Sequence, residues 1–150
     1  MPEYDPAVRA QVAAAVAQRD VSQFAAALVG TTSVQRPARD RIQEARHLRL
    51  LALEVLDRTV IAALLDGMSW EELGEALLLD PATARVRYES AVKRWSAPGG
   101  SAQQGPGDPG DPDVAGTAGL LDAWYSDAVS ALDPQVGEPA ERPVSRILHP

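Results

Sequence analysis

The stretch SWEELGEALLLDPATARVRYESAVKRW, residues 69–95, decides how this chain is read. Ser69 and Glu72 stand at capping-box spacing, where a hydroxyl and a carboxylate each accept the other residue's backbone N–H as a helix starts. Leu73 and Leu77 follow four residues apart and so share a face. Asp80-Pro81 repeats the start signal: a carboxylate cap, then a proline whose missing N–H is harmless in a first turn. The pattern predicts two short helices, about 69–77 and 81–95, joined by a turn at Leu78-Leu79.

Working upstream, Asp66-Gly67 ends the longest predicted helix, about 37–65, with Gly67 as the left-handed residue past its end. Ile42, Ala45, Leu48, Ala52, Val55, Leu56, Val60, Ala63 and Leu64 keep helical spacing along it. Its first half carries Arg36, Arg39, Arg41, Arg46 and Arg49, interleaved with Asp40 and Glu44, which reads as a solvated face or a second phosphate-binding patch. Its second half is apolar on nearly every side, which predicts a central helix wrapped by its neighbours or, as the alternative, a dimer seam. Asp5-Pro6 opens a helix over 6–19 with Val8, Val12 and Val16 in one stripe. Asp20 or Ser22 is expected to cap a second helix bearing Phe24, Leu28 and Val29, before a loop at 30–33.

Downstream, residues 96–118 are rich in Gly, Pro, Asp, Ser and Gln, a composition that buries too little apolar surface to offset chain entropy. A flexible, disordered linker is expected there. Residues 118–132 predict a short amphipathic helix with Leu121, Trp124, Tyr125, Ala128 and Leu132 on one side. The expected fold is all-α: a compact helical domain over 5–95, the linker over 96–118, and an acidic tail over 119–150 carrying the short C-terminal helix.

Ala, Leu and Val dominate and aromatics are few, which favours helix packing over sheet. No cysteine is present, so disulfides, thiolate metal sites and cysteine nucleophiles are excluded. The opening residues lack a basic and then apolar leader pattern, and Arg49, Glu54, Asp57 and Arg58 interrupt the most apolar stretch. A cytoplasmic protein with no membrane span is therefore expected. The net charge is −7: residues 1–95 hold 12 Lys/Arg against 13 Asp/Glu, whereas residues 96–150 hold 2 against 8. Binding to nucleic acid would then depend on a local basic patch, because phosphate contacts dominate that affinity.

Residues 67–88 supply such a patch within a recognisable arrangement. Leu73, the small Gly74, Leu77 and Leu79 about the turn, the Asp80 cap, Ala84, Arg85, Arg87 and Tyr88 occur in an order that resembles the helix-turn-helix of the promoter −35-reading region of sigma factors and their small actinobacterial relatives. The resemblance covers roughly a sixth of the chain. It implies that the second helix enters a DNA major groove and that Arg85 and Arg87 take the basic positions facing DNA. The family turn usually has Gly where this chain has Leu78, which leaves room for a reshaped turn. Pro81 and Ala82 offer no base-reading donor, and Glu71, Glu72 and Glu75 crowd the first helix.

The candidate DNA-contacting residues are Thr83, Arg85, Arg87, Lys93 and Arg94, with an intrahelical Arg85–Glu89 pair on a solvated face as the bland alternative. Trp70 and Trp95 read as structural anchors. Leu121, Trp124 and Tyr125 are candidate partner-binding residues, or else complete the protein's own core. His47 and His149 are the only histidines and lack metal-ligand spacing; Gly105 and Gly107 lie in a Pro-rich stretch, not between a strand and a helix. No catalytic site, metal or cofactor is expected. The leading expectation is a helix-turn-helix DNA-binding regulator. The alternative is a helical adaptor or dimerisation protein, whose partner is a second copy or another protein met through the C-terminal segment.

Overall fold

The computed structural model describes residues 4–97, 105–129 and 142–149. The described residues are all-helical: α1 (Pro6–Gly30), α2 (Ala38–Leu65), α3 (Trp70–Leu77), α4 (Pro81–Ser96), α5 (Val114–Val129) and α6 (Ser145–Leu148). The boundaries follow local chemistry. Asp5 accepts the Ala7 N–H at 2.8 Å ahead of Pro6, satisfying a donor that the first turn leaves free. At the end of α2, Gly67 N–H donates to the Leu64 carbonyl and Met68 N–H to that of Ala63, with Gly67 at φ 103°. That is the left-handed stop expected for Gly67.

The break expected at Asp20 or Ser22 does not occur, and α1 runs unbroken from Pro6 to Gly30. No Gly or Pro stands between Ala7 and Val29 to interrupt it, and most of these residues are good helix formers. The Asp20 carboxylate is taken by the Arg19 guanidinium at 3.0 Å instead of capping a new helix.

α1 and α2 form an antiparallel hairpin, the most extensive contact between elements, and the other helices dress one end of it. α3 and α4 dock on the C-terminal part of α2, where Val60, Leu73, Ala84 and Tyr88 form one core cluster. Ala10, Ala13, Ile61, Ala62 and Trp95 form a second, joining α1, α2 and α4. The third joins α1 to the tail through Val12, Val16, Val114, Ala118, Leu121 and Val144.

The other end of the hairpin is bare. No residue from Gln18 to Thr59 is buried, and Ile42, Leu50, Leu53 and Leu56 remain 69%, 54%, 38% and 38% exposed. The central, wrapped role expected for the apolar half of α2 therefore holds only at Val60, Ile61 and Ala62. Among the described residues none of α2 before Val60 is buried, while Leu64 and Leu65 pack partly buried against the clusters that α3 and α4 complete.

The tail also departs from expectation. Of the expected linker, residues 98–104 lie outside the described part, but 105–113 are folded turns and α5 already begins at Val114. Carboxylates fasten these turns. Asp108 accepts the Gly105 N–H at 3.1 Å, and Asp111 accepts the Gly107 N–H at 3.2 Å and the Thr117 hydroxyl at 2.8 Å. Gly107, at φ 83°, is buried where a Cβ would come within 2.9 Å of Arg58 Nη1 and 3.1 Å of Val16. Composition alone misses this, because the turns are held by a contact to α1 and α2 across the sequence. The expected helix position Leu132 lies outside the described residues.

Candidate nucleic-acid interface

The α3–turn–α4 unit is built by three local devices. Ser69 and Glu72 form the capping box in both directions, Glu72 N–H to Ser69 Oγ at 3.1 Å and Ser69 N–H to Glu72 Oε2 at 2.9 Å. The Ser69 backbone N–H first, and the Ser69 hydroxyl second, hold the Glu72 carboxyl below its ordinary pKa. Asp80 Oδ2 accepts the Ala82 and Thr83 N–H groups at 3.1 and 3.3 Å and opens α4.

Between them the turn closes as a Schellman motif: Leu79 N–H donates to the Gly74 carbonyl at 2.8 Å and Leu78 N–H to that of Glu75 at 3.3 Å. Leu78 itself takes the left-handed conformation, φ 55° and ψ 42°, with its side chain 92% exposed. The turn is thus not reshaped to accommodate Leu; the residue adopts the geometry a glycine would have supplied and bears the strain. Gly74 is required by proximity. A Cβ there would stand 2.7 Å from the Leu79 carbonyl oxygen and 3.3 Å from the Pro81 nitrogen, both backbone atoms.

Packing then orients α4. Ala84, Tyr88 and Trp95 are buried and Ala91 is half-buried, one stripe facing α1, α2 and α3. The Tyr88 hydroxyl donates to Asp57 Oδ1 at 3.0 Å, and burial, reinforced by that carboxylate, raises its pKa above the usual phenol value. Trp70 packs beside this cluster and Trp95 is 6% exposed, so both are anchors as expected.

With the buried stripe fixed, the outward side follows from the rotation of about 100° per residue. Arg85 falls on one flank and Arg87 on the other, roughly 160° apart around the helix. Arg85 pairs with Glu89 at 3.2 Å, and Lys93 approaches the same carboxylate at 3.7 Å. Arg87 lies with its guanidinium 5.4 Å from the centre of the Tyr88 ring. It shares its flank with Thr83 and Arg94, both exposed. Arg87 and Arg94 border a cleft of about 350 Å³ between α2, α4 and the 105–113 turns, whose carboxylates Glu54, Asp57 and Asp108 are engaged by Arg58, Tyr88 and the Gly105 N–H. Neither arginine has an ion pair among the described residues. The five candidates are therefore all exposed on one helix, but Arg85 and Arg87 do not address the same point.

The residue that sequence reasoning passed over is Val86. It stands opposite the buried stripe, 84% exposed, at the apex between the two arginines. The Ala84–Tyr88 spacing was sufficient to place it there. Charge is segregated within the unit: α4 carries Arg85, Arg87, Lys93 and Arg94 against Glu89, while α3 carries Glu71, Glu72 and Glu75.

The tail candidates separate. Leu121 is 2% exposed and buried against α1. Trp124 and Tyr125 are half-buried and line an apolar cavity of about 560 Å³ with Ala14, Ala15, Pro143 and Ile147. Asp122, 9% exposed, accepts the Val144 and Ser145 N–H groups at 2.7 and 3.0 Å and ties the start of α6 to α5. Among the described residues no helix is long and apolar enough to cross a membrane, and no cluster of three or more His, Asp or Glu has metal-binding geometry. Comparison with known proteins found no matching family model, no similar curated protein and no similar solved structure.

Proposed function

We propose that the protein is a helix-turn-helix DNA-binding regulator of bacterial type, acting in the cytoplasm, with α4 as its reading helix. The observation that carries this reading is the division of α4 into a packed stripe of Ala84, Tyr88 and Trp95 and an outward side bearing Arg85, Arg87, Lys93 and Arg94. In a chain of net charge −7, this helix has four basic residues against one acidic. The resemblance of residues 67–88 to the −35-reading unit, and the close crossing that Gly74 permits, support the same reading. Arg85 and Arg87, on opposite flanks, reach toward phosphates on the two sides of a groove.

The test is binding to a random duplex pool across a salt series, beside an Arg85→Ala/Arg87→Ala variant. Salt-sensitive binding that the double variant loses supports the reading, with the salt slope falling by about 1 for each phosphate contact removed. No binding at low salt refutes it.

A second reading, a helical adaptor or dimerisation protein, is favoured by a different observation. The uncovered face of α2 leaves Ile42, Leu50, Leu53 and Leu56 in solvent. Under that reading a partner protein or a second copy covers them, and Leu53→Glu abolishes the association seen by sedimentation.

A further inference from the structure

We infer that α4 reads thymine through its 5-methyl group, with Val86 as the contacting residue. The inference rests on the DNA-binding reading and adds what the helix recognises. Val86 is the most exposed large apolar residue on any described helix and stands diametrically opposite the buried stripe of α4. The residues sharing its outward face along the first three turns are the short Ala82, Thr83 and Ser90, with Glu89 at one edge, its carboxylate held by Arg85 and Lys93. In line with Val86 the first three turns add only Ala82 and Ser90, and Lys93 follows a turn later, so the N-terminal part of the helix can approach the floor of a groove about 12 Å wide, close to the diameter of a helix with its side chains.

Over its first three turns the apex carries no guanidinium or carboxamide, only the Thr83 and Ser90 hydroxyls. A guanidinium or carboxamide aimed at the groove floor reads guanine or adenine through a two-pronged contact. Here the two arginines stand about 100° to either side of the apex. Arg85 is further tethered to Glu89 at 3.2 Å. Their placement suits the phosphates of opposite strands, while the apolar tip between them faces the base edges. The thymine methyl is the one apolar group that the major groove presents, so an exposed valine finds its matching surface only there.

The experiment uses the full chain. Duplexes are selected from a random pool, then resynthesised with uracil replacing each thymine in turn, which removes the methyl and leaves every hydrogen-bonding group in place. The expected result is a loss of about fourfold in affinity at the contacted thymine, the worth of one buried methyl. Val86→Ala lowers affinity for the thymine duplex and narrows its margin over the uracil duplex. Arg85→Ala alone weakens binding to both duplexes alike and leaves the margin unchanged. Because Val86 is 84% exposed, the alanine variant keeps its fold, checked by circular dichroism. Equal binding of thymine and uracil duplexes overturns the inference and leaves DNA binding standing. Failure to bind any duplex overturns both.

Discussion

Replacing Gly74 with alanine sets two effects of opposite sign against each other, and the structure decides between them. Alanine is the better helix former by about 1 kcal/mol, so a mid-helix glycine normally gains stability when replaced. At Gly74, however, the added Cβ would stand 2.7 Å from the Leu79 carbonyl oxygen and 3.3 Å from the Pro81 nitrogen. Neither atom can rotate away, because both belong to a backbone pinned by the Leu79 N–H bond to Gly74 and by the Asp80 cap. Relief requires α3 and α4 to separate, at an overpacking cost of about 1–3 kcal/mol, to which the loosened Leu73–Ala84 contact adds. The net expectation is a destabilisation of about 1–2 kcal/mol, or a fall in Tm of about 2–8 °C for a chain of this size. The same substitution at Gly119, inside α5, supplies the control: no atom lies within 4 Å of the added Cβ. Gly119→Ala is expected to raise stability by about 0.5–1 kcal/mol. Thermal and urea unfolding followed by circular dichroism read both variants. A Gly74→Ala protein as stable as Gly119→Ala would refute the argument that the two helices cross in contact at residue 74.

Leu78→Gly should stabilise the protein by about 1 kcal/mol, since it relieves a left-handed leucine whose side chain, 92% exposed, contributes little burial; a lowered urea midpoint would show that Leu78 makes a contact of value. Asp122→Ala leaves the Val144 and Ser145 N–H groups without their acceptor, at a cost of about 1–3 kcal/mol, and hydrogen exchange should accelerate at residues 144 and 145 before it does in α3. The Glu72 carboxyl is held below its ordinary pKa by the Ser69 N–H and hydroxyl, so its contribution is present above the unfolded value of about 4.3 and disappears as pH falls through the lower folded value. Glu72→Gln should flatten the stability profile in that acid window, and an unchanged profile would mean that the cap carries no linkage.

The elements legible in the sequence are those fixed by neighbours in the chain. Asp5-Pro6, Gly67, the Ser69–Glu72 box and Asp80-Pro81 act through bonds spanning at most five residues, and each is found where its chemistry places it. The break at Asp20 was misread because a cap residue is only permissive; without a breaker before it, the helix continues through. The 105–113 turns were misread because their Gly and Pro content is that of a linker, while the contacts holding Gly107 come from Val16 and Arg58. The candidate site was half legible. The basic residues of α4 were visible as a set, but the opposition of Arg85 and Arg87 about Val86 appears only once the buried stripe of α4 is known.

The pairing of α1 with the tail has a consequence for how the protein is made. Val12 and Val16 leave the ribosome early, yet their partners Leu121 and Val144 follow roughly 100–130 residues later. At a synthesis rate of about 5–20 residues per second, the apolar side of α1 waits on the order of 5–25 s for its cover. During that interval the nascent chain presents a sticky helix to chaperones and to its neighbours, and a message truncated before α5 would yield a product that never conceals it.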